Sequence, residues 1–191
     1  MNTAVDNIWQ EYVSVRDLLT ELKEVSALND YTNTMRKVVI LSCGSYFEHE
    51  MTEMLKGYVL EASKGNGLIA SFLEKQAIQQ RYHTLFDWGK QDEPTQPNKS
   101  AKKFLKLFGN DFCAQVEAIV KEQQEVKDAQ EAFLELGHLR NILVHSNFAD
   151  YIYADKTPEE IYSLYQKACR FIPFVRDKLS EEQIRVDNQD N

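Results

Sequence analysis

The chain has 191 residues and 43% of them are hydrophobic, enough for one globular domain with its own core. Its formal net charge of −8 excludes a large basic nucleic-acid footprint, because non-specific affinity comes from neutralising phosphates; a small basic pocket on an acidic body stays open. The same charge argues against anionic membrane surfaces, and only 4 Pro and 7 Gly interrupt the chain, which favours long helices over a sandwich or barrel.

Val5, Ile8, Trp9, Tyr12, Leu18, Leu19, Leu22 and Val25 recur at three- and four-residue steps, predicting a helix over about 4–28 that Asn29-Asp30 breaks. A longer helix is expected over about 32–63, with Met35, Val38, Val39, Tyr46, Met51, Met54, Leu55 and Tyr58 on its apolar face. Lys64-Gly65-Asn66-Gly67 ends it with residues that tolerate left-handed dihedrals. A third helix covers about 68–82. Residues 83–100, HTLFDWGKQDEPTQPNKS, then hold two prolines and several turn formers, and read as a long functional loop or as a crossover pinned by Phe86 and Trp88.

A short helix over 100–108 follows, stopped by Gly109-Asn110. The next runs from about 111 into the 120s, and the stretch over 127–145 is either its continuation or another helix, burying Phe133, Leu136, Leu139, Ile142 and Leu143. Thr157-Pro158-Glu159-Glu160 is a strong start signal: a Thr cap, Pro at the first helical position and a Glu reaching back. Pro173 kinks that helix or opens its last segment. Trp9, Tyr46, Phe47, Leu136, Leu139 and Phe171 are expected to be mostly buried. The sum is an all-α antiparallel helical bundle with extra short helices: one domain over 1–180 and a flexible polar tail over 181–191.

Cys43, Cys113 and Cys169 are far apart and form no C-x-x-C pair, so they read as buried, reduced thiols in a reducing compartment. MNTAVDNIWQEY lacks the basic-then-apolar pattern of a signal peptide, and no run approaches the roughly 18 apolar residues of a membrane span. A cytoplasmic location is expected.

The histidines are His49, His83, His138 and His145. Glu135-Leu136-Gly137-His138 has the Glu-x-x-His spacing of di-iron bundles, but those need two such pairs and no second exists; His138 reads as an exposed helix residue. Glu48-His49-Glu50 reads as a solvated face, with Glu53 in reach of His49. Neither a metal site nor a cofactor is predicted. The last set lies in LRNILVHSN. On an ideal helix Asn141 and His145 share a face, and the long Arg140 side chain can swing toward the same edge. A guanidinium for phosphate, a titratable imidazole and an orienting amide suit metal-free RNA cleavage, to which DNA, lacking the 2′-OH, is inert. On spacing alone a surface arginine and a helix-terminal histidine are the plainer reading.

Arg140-Asn141-Ile142-Leu143-Val144-His145 near the end of a late helix resembles the motif of the HEPN superfamily: Arg, often a polar residue next, and His after four to six positions. SYFEHEMTEML and FDWGKQDEPTQPNKSAKKFLKLFGNDF resemble the corresponding stretches of its RiboL-PSP and MAE-like branches, so that the similarity covers about 30–180. The resemblance implies a dimerising bundle whose two motif helices face each other, with a composite site from both copies of Arg140, Asn141 and His145. It also implies a metal-independent endoribonuclease of toxin–antitoxin or antiviral systems, with RNA as substrate and an antitoxin or defence protein as partner. Other members keep the fold and bind nucleotides, nucleic acid or proteins without cutting. Lys99, Lys102, Lys103 and Lys106 are the densest basic cluster, either an RNA path or the solvated face of a short amphipathic helix.

Overall fold

A computed structural model of the chain describes residues 2–78, 81–89, 99–148 and 155–189. Helix α1 spans Ala4–Glu21, opened by a capping box in which Thr3 and Asp6 satisfy each other's backbone N–H groups. The 38-residue α2 spans Val25–Ala62. The break between them is therefore at Lys23, not at Asn29-Asp30. Lys23 adopts φ 58°, and the Glu24 and Lys23 amides donate to Leu19 and Thr20 carbonyls, closing a Schellman turn. Asn29 and Asp30 are taken into α2, where the next residue, Tyr31, stacks on Tyr12 at 5.9 Å. The shifted corner leaves Leu18, Leu22 and Val25 exposed rather than on a buried face. Helix α2 ends where its polar run predicted, through the same device, with Lys64 at φ 53°.

Helix α3 spans Gly67–Leu73, capped by the Asn66 side chain, and continues as a π-helical turn over Glu74–Ile78. The short α4 spans Tyr82–Leu85. Of the expected irregular stretch, Asp87–Trp88 (β1) and Lys99–Ser100 (β2) pair antiparallel, and 90–98 lie outside the described residues. Then come α5 over Lys102–Leu105, a 3-10 turn over Lys106–Phe108, and α6 over Asn110–Glu122. Gln123 turns extended, so α7, Gln124–His145, is a separate helix. Part of the expected turn after it, 149–154, is again outside the described residues. The Thr157–Glu160 capping box starts α8, Pro158–Ala168, as its sequence predicts. Pro173 falls in the first turn of α9, Phe171–Gln189, where its missing N–H costs nothing. Helix α9 thus extends through most of the segment expected as a polar tail.

The fold is all-α, with one two-stranded ladder among the described residues. Its core is a chain of aromatic contacts: Phe47 to Phe133 at 5.5 Å, Phe133 to Phe171 at 4.9 Å, Phe86 to Phe104 at 4.8 Å. Phe47, Leu136, Leu139 and Phe171 are buried as expected. Trp9 and Tyr46 are only half-buried: Trp9 stacks on Tyr162 at 4.4 Å, and Tyr46 meets Tyr165 edge-on. Ile142 is half-buried too. Cys43 and Cys113 are buried, Cys169 half-buried, and all three are free thiols. Among the described residues no helix is long and apolar enough to cross a membrane.

Candidate functional site

Helices α2 and α7 run antiparallel. Phe133 meets Phe47, Arg140 meets Gly44 and Glu48, and beyond His145 the Phe148 carbonyl accepts a 2.6 Å hydrogen bond from the Lys37 ammonium. That ammonium also lies 5.0 Å from the Phe148 ring. Arg140 and His145 thus sit on the last two turns of α7, with Arg140 on the seam with α2.

The two side chains have different surroundings. Arg140 is half-buried, and its stem crosses α2 where that helix has no side chain: a Cβ on Gly44 would come within 2.5 Å of the Arg140 Cγ. Its guanidinium Nη2 reaches Glu48 Oε2 at 3.4 Å. His145 is the last residue of α7 and is exposed, beside exposed Val144 and Phe148. Asn141, four residues before His145, is half-buried on the same face. Five residues of ideal helix put Arg140 and His145 about 140° apart around α7. Among the described residues no hydrogen bond joins Arg140, Asn141 and His145 within one chain.

A second close approach supports α7 about one turn before Arg140. A Cβ on Gly137 would lie 1.9 Å from Trp88 Cζ3, so the indole rests directly on the helix backbone. Trp88 donates from Nε1 to the His83 carbonyl at 2.9 Å and packs on Phe86 and Phe133. Between the two notches lies a cavity of about 20 Å³ bounded by Gly44, Tyr82, Trp88, Gly137, Arg140 and Asn141. It has room for about one water. Tyr82 is buried here. Burial pushes its hydroxyl well above the usual range, the Glu48 carboxylate adds to this, and Arg140 partly offsets it.

The lysine cluster is not one free basic patch. Lys99 pairs with Glu135, and Lys102 with Glu117 at 3.1 Å. Lys103 and Lys106 are exposed, and among the described residues they make no ion pair. Lys156, which sequence reasoning missed, takes the other Glu135 oxygen at 3.3 Å. His138, expected to be exposed, is half-buried, with the Trp88 backbone and the Lys99 ammonium set near it; its Nδ1 is buried with no hydrogen-bond partner. Of the solvated trio, Glu48 is instead half-buried on Arg140, while His49 is exposed and makes no pair with Glu53 among the described residues. Among the described residues no cluster of three or more His, Cys, Asp or Glu side chains could hold a metal ion.

This arrangement carries a pH signature. Burial, then the Lys99 ammonium, push His138 below its ordinary value of 6.5. The unfolded chain then binds the proton more readily, so this contribution is complete above about pH 6.5 and is lost as pH falls below it. For Glu135 burial acts upward, but the Lys99 hydrogen bond and the Lys99 and Lys156 charges outweigh it and leave the carboxyl below its ordinary 4.5. Its contribution is lost only as pH falls through and below about 4.5. Thermal melts should show a first decline as pH falls below about 6.5 that His138→Gln removes, and a second below about 4.5 that remains. A wild-type Tm unchanged from pH 7 to 5 would contradict the burial of His138.

The described residues thus form an all-α bundle with a half-buried arginine and an exposed histidine near the end of one helix. The family model described as RiboL-PSP-HEPN matches residues 10–181, and the chain belongs to that family. The match begins within α1, further upstream than the stretches that carried the resemblance. No curated protein and no solved structure matches the chain significantly. HEPN membership points to a nuclease or nucleotide-binding module, and HEPN domains often bind RNA and dimerise.

Proposed function

We propose that the chain is a metal-independent endoribonuclease of a toxin or antiviral-defence type, acting on RNA as a cytoplasmic homodimer. The observation that carries the proposal is the division of the motif within one chain. Arg140 is held against α2, while His145 stands exposed about 140° round α7 between exposed apolar Val144 and Phe148. A two-fold axis along this face would bury the two apolar side chains and set the His145 of one copy toward the Arg140 of the other. The family's frequent dimerisation supports the same arrangement.

The chemistry follows from the three groups. The ribose 2′-oxygen bonds to phosphorus and the bond from phosphorus to the 5′-oxygen breaks. One proton leaves the 2′-OH and one reaches the departing oxygen. His145 moves one of these protons, Arg140 offsets charge on the phosphoryl oxygens, and the Asn141 amide orients the phosphate. Lys103 and Lys106 are the lysines best able to track an RNA backbone, since Lys99 and Lys102 already meet carboxylates. An antitoxin or defence protein would be a further partner.

A non-catalytic module that binds a nucleotide, nucleic acid or protein is the second reading. It is favoured by one observation, the Glu48 carboxylate already set against Arg140 on an acidic chain. Two measurements separate them. Light scattering should give about twice the 22.2 kDa chain mass. Single-stranded RNA should be cut while DNA of the same sequence is not. A strict monomer that binds RNA and never cuts it would make the second reading the better one.

A further inference from the structure

We infer that Glu48 is a positioning residue that sets the direction of the Arg140 guanidinium toward the substrate phosphate, an inference that rests on the catalytic role proposed for Arg140.

The path of the Arg140 stem is constrained along its length. Gly44 opens a notch in α2, and an added Cβ there would meet Arg140 Cγ at 2.5 Å and Cβ at 3.1 Å. Glu48 lies one turn on from Gly44, on the same face of α2, where the guanidinium arrives. Its Oε2 meets Nη2 at 3.4 Å, the long end of the hydrogen-bonding range. Buried Tyr82 closes the inner side, within electrostatic reach of both partners. Stem and head of the arginine are thus set by three residues from two other elements, none of them adjacent in sequence.

The exposures decide what this contact is for. The Arg140 and Glu48 side chains are 30% and 39% exposed. An ion pair that wet adds little to stability. Its effect is on direction instead. A guanidinium has five N–H donors in a planar fork, and a carboxylate on one Nη leaves the Nε and remaining Nη donors for a bidentate phosphate. A long, half-exposed contact can also adjust as the phosphate arrives, which a short buried pair would resist. The opposite role, a carboxylate that competes with the phosphate and holds the enzyme back, uses the same distance and predicts the opposite kinetics.

The test uses the full chain with Glu48→Ala and Glu48→Gln, each also placed in an Arg140→Ala background. Thermal melts confirm that the variants fold, and the Gln variant, nearly the same in shape, stands in should the Ala variant not. Glu48→Ala is expected to lower kcat for single-stranded RNA by about 10- to 100-fold, the cost of misplacing a charged group, with a smaller change in KM. Glu48→Gln keeps an acceptor for Nη2 and should recover most of that loss. In the Arg140→Ala background neither change should matter. Unchanged or faster cleavage by Glu48→Ala, or an equal loss without Arg140, would overturn the assignment. A second readout does not depend on catalysis. The nitrogen-15 signals of the Arg140 guanidinium, assigned by their disappearance in Arg140→Ala, should show hindered rotation in the wild type and free rotation in Glu48→Ala. If the wild type cuts no RNA, the catalytic proposal falls, and these signals still decide whether Glu48 directs Arg140. Identical guanidinium mobility with and without Glu48 would end the inference.

Discussion

His145→Ala is expected to lower cleavage of single-stranded RNA by about 10²–10⁴-fold while RNA affinity changes by only a few-fold. A proton-transfer group acts where the proton is in flight, so its loss falls on the transition state and spares ground-state binding. His145 is exposed at the end of α7 and makes no hydrogen bond among the described residues, so its removal leaves no buried group unpaired. The fold should survive the change, and the loss of activity will then report on chemistry. Arg140→Ala should behave differently. In its proposed role Arg140 meets the phosphate in the bound state as well as in the transition state. The substitution also empties the Gly44 notch, which the arginine stem fills. Rate, affinity and stability should all fall. Matched single-turnover and binding measurements on the two variants give the comparison, and equal losses of affinity for both would remove His145 from the chemistry.

The second large effect is on stability. Gly137→Ala should destabilise the domain by about 3 kcal/mol, the upper end of ordinary overpacking. The added methyl would sit 1.9 Å from Trp88 Cζ3 and within 2.7 Å of two further ring atoms. The indole cannot swing away cheaply: it is buried, hydrogen-bonded to the His83 carbonyl, and 4.9 Å from Phe86. For a chain of this length the expected fall in Tm is about 6–12 °C. Gly57→Ala is the matched control. It lies in the same kind of helical backbone, with nothing within 4 Å of an added Cβ, and should stabilise the chain slightly by helix propensity. A Gly137→Ala loss below about 1 kcal/mol would mean that Trp88 does not pin α7.

Most helices were legible because apolar periodicity and capping chemistry are local. The Thr157-Pro158-Glu159-Glu160 start is correct to the residue. The first corner was not legible, because it depends on Lys23 taking a left-handed conformation, for which lysine carries no signal, and on Tyr31 finding Tyr12 across the turn. His138 was misjudged for a related reason. Its helix face is solvent-facing by periodicity alone, and the groups set against it, the Trp88 backbone and the Lys99 and Lys156 ammoniums, come from other elements of the chain. The lysine cluster shows the same limit, since Glu135 and Glu117, which take up two of its charges, come from other elements.

The candidate site was half legible. Arg140, Asn141 and His145 form a readable string. Glu48 lies 92 residues from Arg140 and appeared only as part of a polar helix stretch. A trace of it was nonetheless present. Gly44 and Gly137 stand in the interiors of long helices, where glycine is unfavourable, and both mark places where another chain segment touches helix backbone.

The most direct measurement of the central claim is the chemistry of the RNA ends after cleavage by the purified chain in EDTA. Attack by the 2′-OH, assisted by Arg140 and His145, predicts fragments that end in a 2′,3′-cyclic phosphate or its hydrolysis product, with a free 5′-hydroxyl on the other side. These products should form without added metal and disappear in His145→Ala. Fragments ending in a 3′-hydroxyl and a 5′-phosphate, or cleavage that survives loss of both Arg140 and His145, would contradict it.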